Sequence, residues 1–270
     1  MRKMSLILFI IIFFGLLYKQ SFFDKSTSIF YVKQDISPKD RDYLEYFFKY
    51  TIKFSSFGYV LYGSKPMSID TYKYTAPKQP INWVDFILDY IQDGCLLNKY
   101  YLKKGWETWE KYHNRFPMNN FVLISYKAPW DPNNYMEFCL INRSNFIQTV
   151  NDHLDDFKAI LGSEVTSESI LENYLAQDSY FSLIRSHDGL FGSLLGYGRN
   201  NAWAFYNDDK NLLPFSEFSP LSQIWPSLFK ALPGEETQIL KEKYMRQREE
   251  IEYIYSDGKF LSRTLLKLSE

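Results

Sequence analysis

The sequence predicts an α+β fold: an N-terminal hydrophobic helix, then a small antiparallel sheet covered by helices, then a helix-rich C-terminal half. Three observations lead there. Strand-like segments cluster before residue 142, and helical spacing of apolar residues takes over from Ser144. The two clearest strands flank a turn-forming stretch and so read as a hairpin. Hydrophobic residues are 46% of the 270-residue chain and aromatics 19%, ample for a core. In this arrangement the sheet is expected to be covered on one face.

The chain opens with Arg2 and Lys3, followed by a nearly unbroken apolar run over residues 6–18. A basic flank and an apolar core of this length mark an export signal or membrane anchor. No pair of small residues follows in the Ala-x-Ala pattern of a cleavage site, and no cysteine follows for lipid attachment. With Lys19 and Gln20 snorkelling, the segment extends to Phe23 and reaches the roughly 17–25 residues that span a bilayer. Arg2 and Lys3 then hold the N-terminus in the cytoplasm. Residues 1–23 therefore read as an uncleaved single-pass signal anchor, with secretion after signal cleavage as the alternative. Residues 24–36 form a spacer, and 37–270 a single extracytoplasmic domain.

Ser37 and Pro38 open the first helix, a serine cap followed by a proline at a position where no hydrogen bond is lost. Tyr43, Leu44, Phe47, Phe48 and Thr51 give its buried stripe. Residues 57–62 read as a strand, 63–66 as a turn, and 67–74 as a return strand. A second helix is expected from Asn82 to the stop at Gly94, with Trp83, Phe86, Ile87, Tyr90 and Ile91 buried. A third covers 98–112. Residues 121–126 and 135–141 are the hairpin strands, separated by a loop whose Pro129 and Pro132 forbid continuous pairing. Helices follow over 145–161, 167–177, from Glu235 onward, and in 258–268.

Net charge is −1, with 31 basic and 32 acidic residues and no basic block, which excludes nucleic acid as a partner. The three histidines, His113, His153 and His187, are too far apart for a zinc spacing, and no metal or cofactor motif occurs. Cys95 and Cys139 allow two readings on the exported side. One is a disulfide stabilising the fold by roughly 4 kcal/mol; the other is two buried free thiols. Trp106, Trp109 and Trp130 serve either core packing or a sugar-stacking platform, and burial of aromatics favours the core.

One segment stands apart. Residues 186–201 hold Gly189, Gly192, Gly196 and Gly198 together with His187, Asp188, Arg199, Asn200 and Asn201. As a functional loop, Gly198, Arg199, Asn200 and Asn201 form an anion-binding turn, with His187 and Asp188 supplying acid–base chemistry. As a packing element, Gly189, Gly192 and Gly196 share a helix face that lets a neighbour approach closely, and Gly198 ends the helix. As a membrane contact, the segment lacks the basic face such helices use. Packing is the preferred reading, since glycine inside a helix costs up to about 1 kcal/mol and needs a return.

Three stretches, residues 57–68, 195–201 (Leu195-Gly196-Tyr197-Gly198-Arg199-Asn200-Asn201) and 248–265, resemble uncharacterised proteins of chlamydia-like intracellular bacteria. That resemblance implies a bacterial envelope setting, with the anchor crossing the inner membrane, and brings no activity with it. The sequence thus points to a membrane-tethered domain that binds a protein or envelope glycan. The alternative is a hydrolase or transferase built on His187, Asp188 and Arg199. Geometry separates the two. An enzyme requires His187 and Arg199 to line one pocket, whereas a binding domain leaves the glycines packed against a neighbouring helix and His187 at the surface or serving as a local cap.

Overall fold

The computed structural model describes residues 36–73, 96–133, 135–215, 224–225, 227 and 229–270. The leader, the helix expected over 82–94 and Cys95 lie outside these. Among the described residues no helix is long and apolar enough to cross a membrane.

Among the described residues, three α-helices and a strand come before the hairpin: α1 (Pro38–Phe54), α2 (Phe57–Leu61), β1 (Met67–Lys73) and α3 (Leu96–Tyr112). Strands β2 (Phe121–Lys127) and β3 (Tyr135–Asn142) form the hairpin itself. Six helices follow: α4 (Arg143–Asp152), α5 (Leu154–Leu161), α6 (Ser167–Ala176), α7 (Ser179–Ser186), α8 (Asp188–Leu194) and α9 (Arg199–Tyr206). A short ribbon, β4 (Leu213–Phe215) with β5 (Phe229–Ala231), leads to α10 (Glu235–Ile254) and α11 (Phe260–Leu268).

The main sheet is antiparallel in the order β1-β3-β2, so β3 is central and β1 lies at an edge. Alternation of side chains sends the two faces to different cores. Phe138 and Leu140 face a core with Leu44, Phe47, Phe48, Trp106 and Trp109 from α1 and α3, joined by Leu261 and Leu265 of α11. The Phe138 ring is the hub, with Phe47, Phe57 and Trp106 centred 5.2, 5.8 and 6.1 Å away. Cys139 and Ile141 face the opposite core with Phe146, Val150, Phe157, Ile170, Tyr174 and Ile184. The sheet is therefore covered on both faces, which corrects the one-sided cover expected. The run of six buried residues at 137–142 is the mark of that double burial.

Local chemistry explains most boundaries. The Ser37 side chain accepts from the Asp40 N–H at 3.1 Å and Pro38 sits in the first turn of α1. Helix α11 has no cap of its own. Instead Glu45 of α1 accepts from the N–H groups of Phe260 and Leu261 at 3.1 and 3.0 Å, placing a carboxylate at the positive end of α11.

Two expected elements differ. Residues 57–61 are helix, not the strand expected over 57–62: Tyr59 N–H donates to Ser56 O and Tyr62 N–H to Gly58 O. All five residues of α2 are buried, and a short run apolar on every side carries no period to tell helix from strand. The return strand β1 consequently pairs with β3 rather than with its expected neighbour. The helix expected over 145–161 breaks at His153 (φ −131°, ψ 29°) into α4 and α5. Asp155 and Asp156 then fall in the first turn of α5, where negative charge is favoured.

Candidate binding cleft

The glycine-rich segment folds as helix, turn, helix. His187 caps α8, its Nδ1 accepting from Leu190 N–H at 3.3 Å, and its ring stacks on Tyr206 at 4.1 Å. Gly192 lies against α9: a methyl group added there would sit 2.9 Å from the Ala202 Cβ. Gly196, not Gly198, ends α8. With φ +75° it lets Gly196 N–H reach Ser193 O and Tyr197 N–H reach Gly192 O, both at 3.0 Å, the paired bonds of a glycine-terminated helix. Gly198 stands instead just before α9.

Most polar side chains of this segment have partners in the fold, although His187 Nε2 is buried without a hydrogen-bond partner. Arg199 grips Asp156 with two bonds of 2.5 and 2.8 Å, which holds the Asp156 carboxyl below its usual range. Asn200 donates to Glu236. Asn201 is buried; its amide donates to Tyr197 O at 2.9 Å, and its carbonyl accepts from Leu232 N–H and the Thr237 hydroxyl at 2.9 and 3.1 Å. Asp188 is exposed in the first turn of α8. His187 and Arg199 both touch the Trp203 ring, at 5.2 and 5.7 Å, yet they line no common pocket among the described residues.

Ionisable groups converge elsewhere, in a cleft of about 390 Å³ beside the β1 edge. Its first contributor is the turn into β1. Lys65 N–H donates to Tyr59 O at 3.2 Å, while the Asn145 amide holds Gly63 O at 3.2 Å and Lys65 O at 3.4 Å. These bonds fix the backbone so that the Lys65 side chain runs inward, leaving the residue 2% exposed. Its Nζ donates to Ser227 Oγ at 2.8 Å and lies 5.2 and 5.6 Å from the ring centres of Tyr197 and Tyr244. Burial pulls the Lys65 pKa down to about 7.

Asp70 follows on the Phe138 face of β1. Its carboxylate accepts from the Ser55 hydroxyl and, at 2.7 Å, from Thr71 N–H. Burial raises its pKa, partly offset by those hydrogen bonds. On the opposite face of the sheet, Glu137 of β3 pairs with Arg185 of α7 at 2.7 Å and accepts from Trp130 Nε1 at 3.3 Å. The Arg185 guanidinium lies 4.1 Å from the Phe191 ring centre, and its buried Nε has no hydrogen-bond partner. Trp130, 59% exposed, forms the rim, while Trp106 and Trp109 are buried in the aromatic core. A shared sugar-stacking platform of the three is thus not formed.

Phe191, Leu195 and Tyr197 form a wall that the cleft shares with an apolar depression of about 470 Å³. That depression is floored by Gly192 and Ala202 and flanked by Phe205 and Phe229. A third, polar hollow of about 380 Å³ contains Arg199 and the 151–156 segment. No group of three or more His, Cys, Asp or Glu suited to a metal ion occurs among the described residues. Cys139 is a free, fully buried thiol, with its pKa raised by burial; its expected partner, Cys95, lies outside the described residues.

Lys65, Asp70, Glu137 and Arg185 were not singled out by sequence. Glu137 had a signal: it is the one charged residue in an otherwise apolar strand. Lys65 and Asp70 had none, because a lysine in a Gly-Ser-Lys-Pro turn ordinarily faces water.

No protein family, no curated protein and no solved structure matches the chain.

Proposed function

We propose that this chain is a bacterial membrane-tethered, extracytoplasmic binding domain, and that its ligand sits in the cleft beside β1. The supporting observation is the convergence of Lys65, Asp70 and the Glu137–Arg185 pair, from three separate segments, around about 390 Å³. Burying ionisable groups costs free energy that packing alone does not return, so a cluster of them in a concavity is a mark of function. The hydrophobic leader supports the envelope address, and the near-zero net charge fits a ligand other than nucleic acid.

A hydrolase or transferase reading finds one supporting contact, the 2.8 Å bond between Lys65 Nζ and Ser227 Oγ. A lysine of lowered pKa can activate a serine hydroxyl. Ser227, however, is 1% exposed and borders a void of about 20 Å³, room for little more than one water. An acyl or glycosyl group does not fit there, so binding is the better reading.

Purification of the full chain from bacterial envelopes, followed by mass spectrometry of released small molecules, tests this directly. A compound bound by the wild type and lost from Trp130→Ala is the expected result. Its absence from both, or recovery of the chain from the soluble cytosol after fractionation and protease shaving, would overturn the proposal.

A further inference from the structure

The cleft lies across the free edge of the main sheet. Ser68 and Asp70 point to the Phe138 face of β1, whereas Ile69, like Glu137 of β3, points to the Cys139 face. All four line the cleft, so it straddles the edge of the strand. One wall is the end of α1, where the Ser55 hydroxyl donates to the Asp70 carboxylate. The other wall is Arg185, paired with Glu137, together with Phe191 and Leu195 of the opposite core.

The hydrogen-bond register decides which backbone groups face this slot. Asn142 N–H donates to Pro66 O at 2.9 Å, so Pro66 and Asn142 are a hydrogen-bonded pair. In an antiparallel ladder such pairs alternate. Ser68 and Asp70 therefore bond to Leu140 and Phe138, and Ile69 and Thr71 turn their N–H and C=O groups away from β3. Asp70 covers one of these outward groups, accepting from Thr71 N–H at 2.7 Å. The N–H and C=O of Ile69 have no partner among the described residues.

We infer that the cleft takes an extended segment of a partner polypeptide, which adds to β1 as a further strand and sets a basic side chain against Asp70. This rests on the cleft being the binding site. One residue of a strand laid antiparallel to β1 exchanges two bonds with Ile69. The adjacent residue then stands across from Asp70 on the same face, within reach of its carboxylate. A lysine or arginine there supplies the counter-ion that Asp70 lacks among the described residues. A second copy of this chain fits less well. Pairing β1 with β1 brings two Asp70 carboxylates together, and like charges across a ladder are destabilising.

The probe is a library of N-acetylated heptapeptide amides, random in sequence, selected on the immobilised full chain. Retained peptides carry a lysine or arginine. Replacing it by norleucine weakens binding about tenfold or more in the wild type, but not in Asp70→Asn. N-methylation along the peptide backbone alternates in effect: one position loses about tenfold or more and the next loses nothing, because only every second N–H of an added strand faces β1. Ile69→Pro removes the outward N–H without touching the ladder to β3, and it abolishes capture. Equal tolerance of N-methyl groups at every position, retained peptides without a basic residue, unchanged capture by Ile69→Pro, or no peptide with a Kd below about 1 mM, overturns the inference. The N-methyl comparison uses the wild type alone and needs no variant to fold. If no peptide is retained while a compound from the envelope is still lost in Trp130→Ala, the cleft is a binding site and the strand assignment alone falls.

Discussion

Residues 186–201 and residues 63–70 make an instructive pair. The first segment is rich in glycine and carries a histidine, an arginine and two asparagines, the composition of an active-site loop. In the fold its side chains are mostly committed to structural partners: His187 Nδ1 caps a helix, Arg199 holds Asp156, and Asn201 joins α9 to the segment before α10. The second segment looks like an ordinary turn entering a strand, yet it delivers Lys65, buried, and Asp70, half-buried, to a cleft, neither with a counter-ion among the described residues. Chemical potential lies in polar groups whose capacity is unused, and composition does not reveal that.

The largest expected effect separates paired from unpaired charge within the cleft. Arg185→Met leaves Glu137, itself 2% exposed, as an uncompensated buried carboxylate. It should destabilise the fold by about 3–5 kcal/mol in urea unfolding. Combining it with Glu137→Leu should restore most of that loss, because two apolar side chains then replace the ion pair. A double variant as unstable as the single one would mean that the pair is held by more than its mutual charge.

Lys65→Met should do the reverse. In the unfolded chain the amine keeps its proton up to pH 10.5, whereas in the folded chain burial brings the pKa to about 7. Between those values the unfolded chain binds more protons, so wild-type stability rises with pH across that window. Below pH 7 the folded chain carries the buried charge and stability is lowest. Lys65→Met should therefore stabilise the protein by up to a few kcal/mol near pH 6, with the gain shrinking toward pH 10. Denaturation midpoints across pH measure it, and a pH-independent difference would show that Lys65 is not buried as an unpaired amine.

Gly196→Ala tests the wall between the two segments. A methyl group there requires a left-handed backbone and would lie 2.6 Å from Tyr244 Oη, the hydroxyl that donates to Gly196 O. The expected cost is about 1–3 kcal/mol. Because Tyr244 also lies over the Lys65 amine, tyrosine fluorescence should report the shift. Unchanged stability would remove the argument that this turn needs glycine.

Much of the secondary structure was legible because it is written in local terms. Ser37-Pro38, the hairpin strands and the charged helix from Glu235 each carry a cap, a turn or a period that needs no tertiary partner. The errors fall where burial is complete. Residues 57–62 lost their period because α2 is buried on every side, and the two-sided cover of β3 was hidden behind Glu137, whose counter-ion lies 48 residues away on α7. The cleft was illegible for the same reason. Lys65 is buried by Tyr197, Tyr244 and Ser227, all more than 130 residues distant in the chain, and no local pattern encodes that meeting.

The smallest effect is the most discriminating. Arg199 was the strongest cation in the glycine-rich segment, and its bidentate grip on Asp156 looks like a fixed feature of a site. Yet the arginine side chain is 45% exposed, and solvent screening limits such a pair to under about 1 kcal/mol. Arg199→Ala should leave stability within that margin and leave ligand capture in the cleft unchanged. Lys65→Met, by contrast, alters a residue that lines the cleft and should weaken ligand capture there. Side-by-side titration of the two variants decides which segment holds the function. Loss of binding in Arg199→Ala with Lys65→Met unaffected would move the site to the hollow at residues 151–156, where acids surround Arg199, and would restore the glycine-rich segment as the place where this protein meets its ligand.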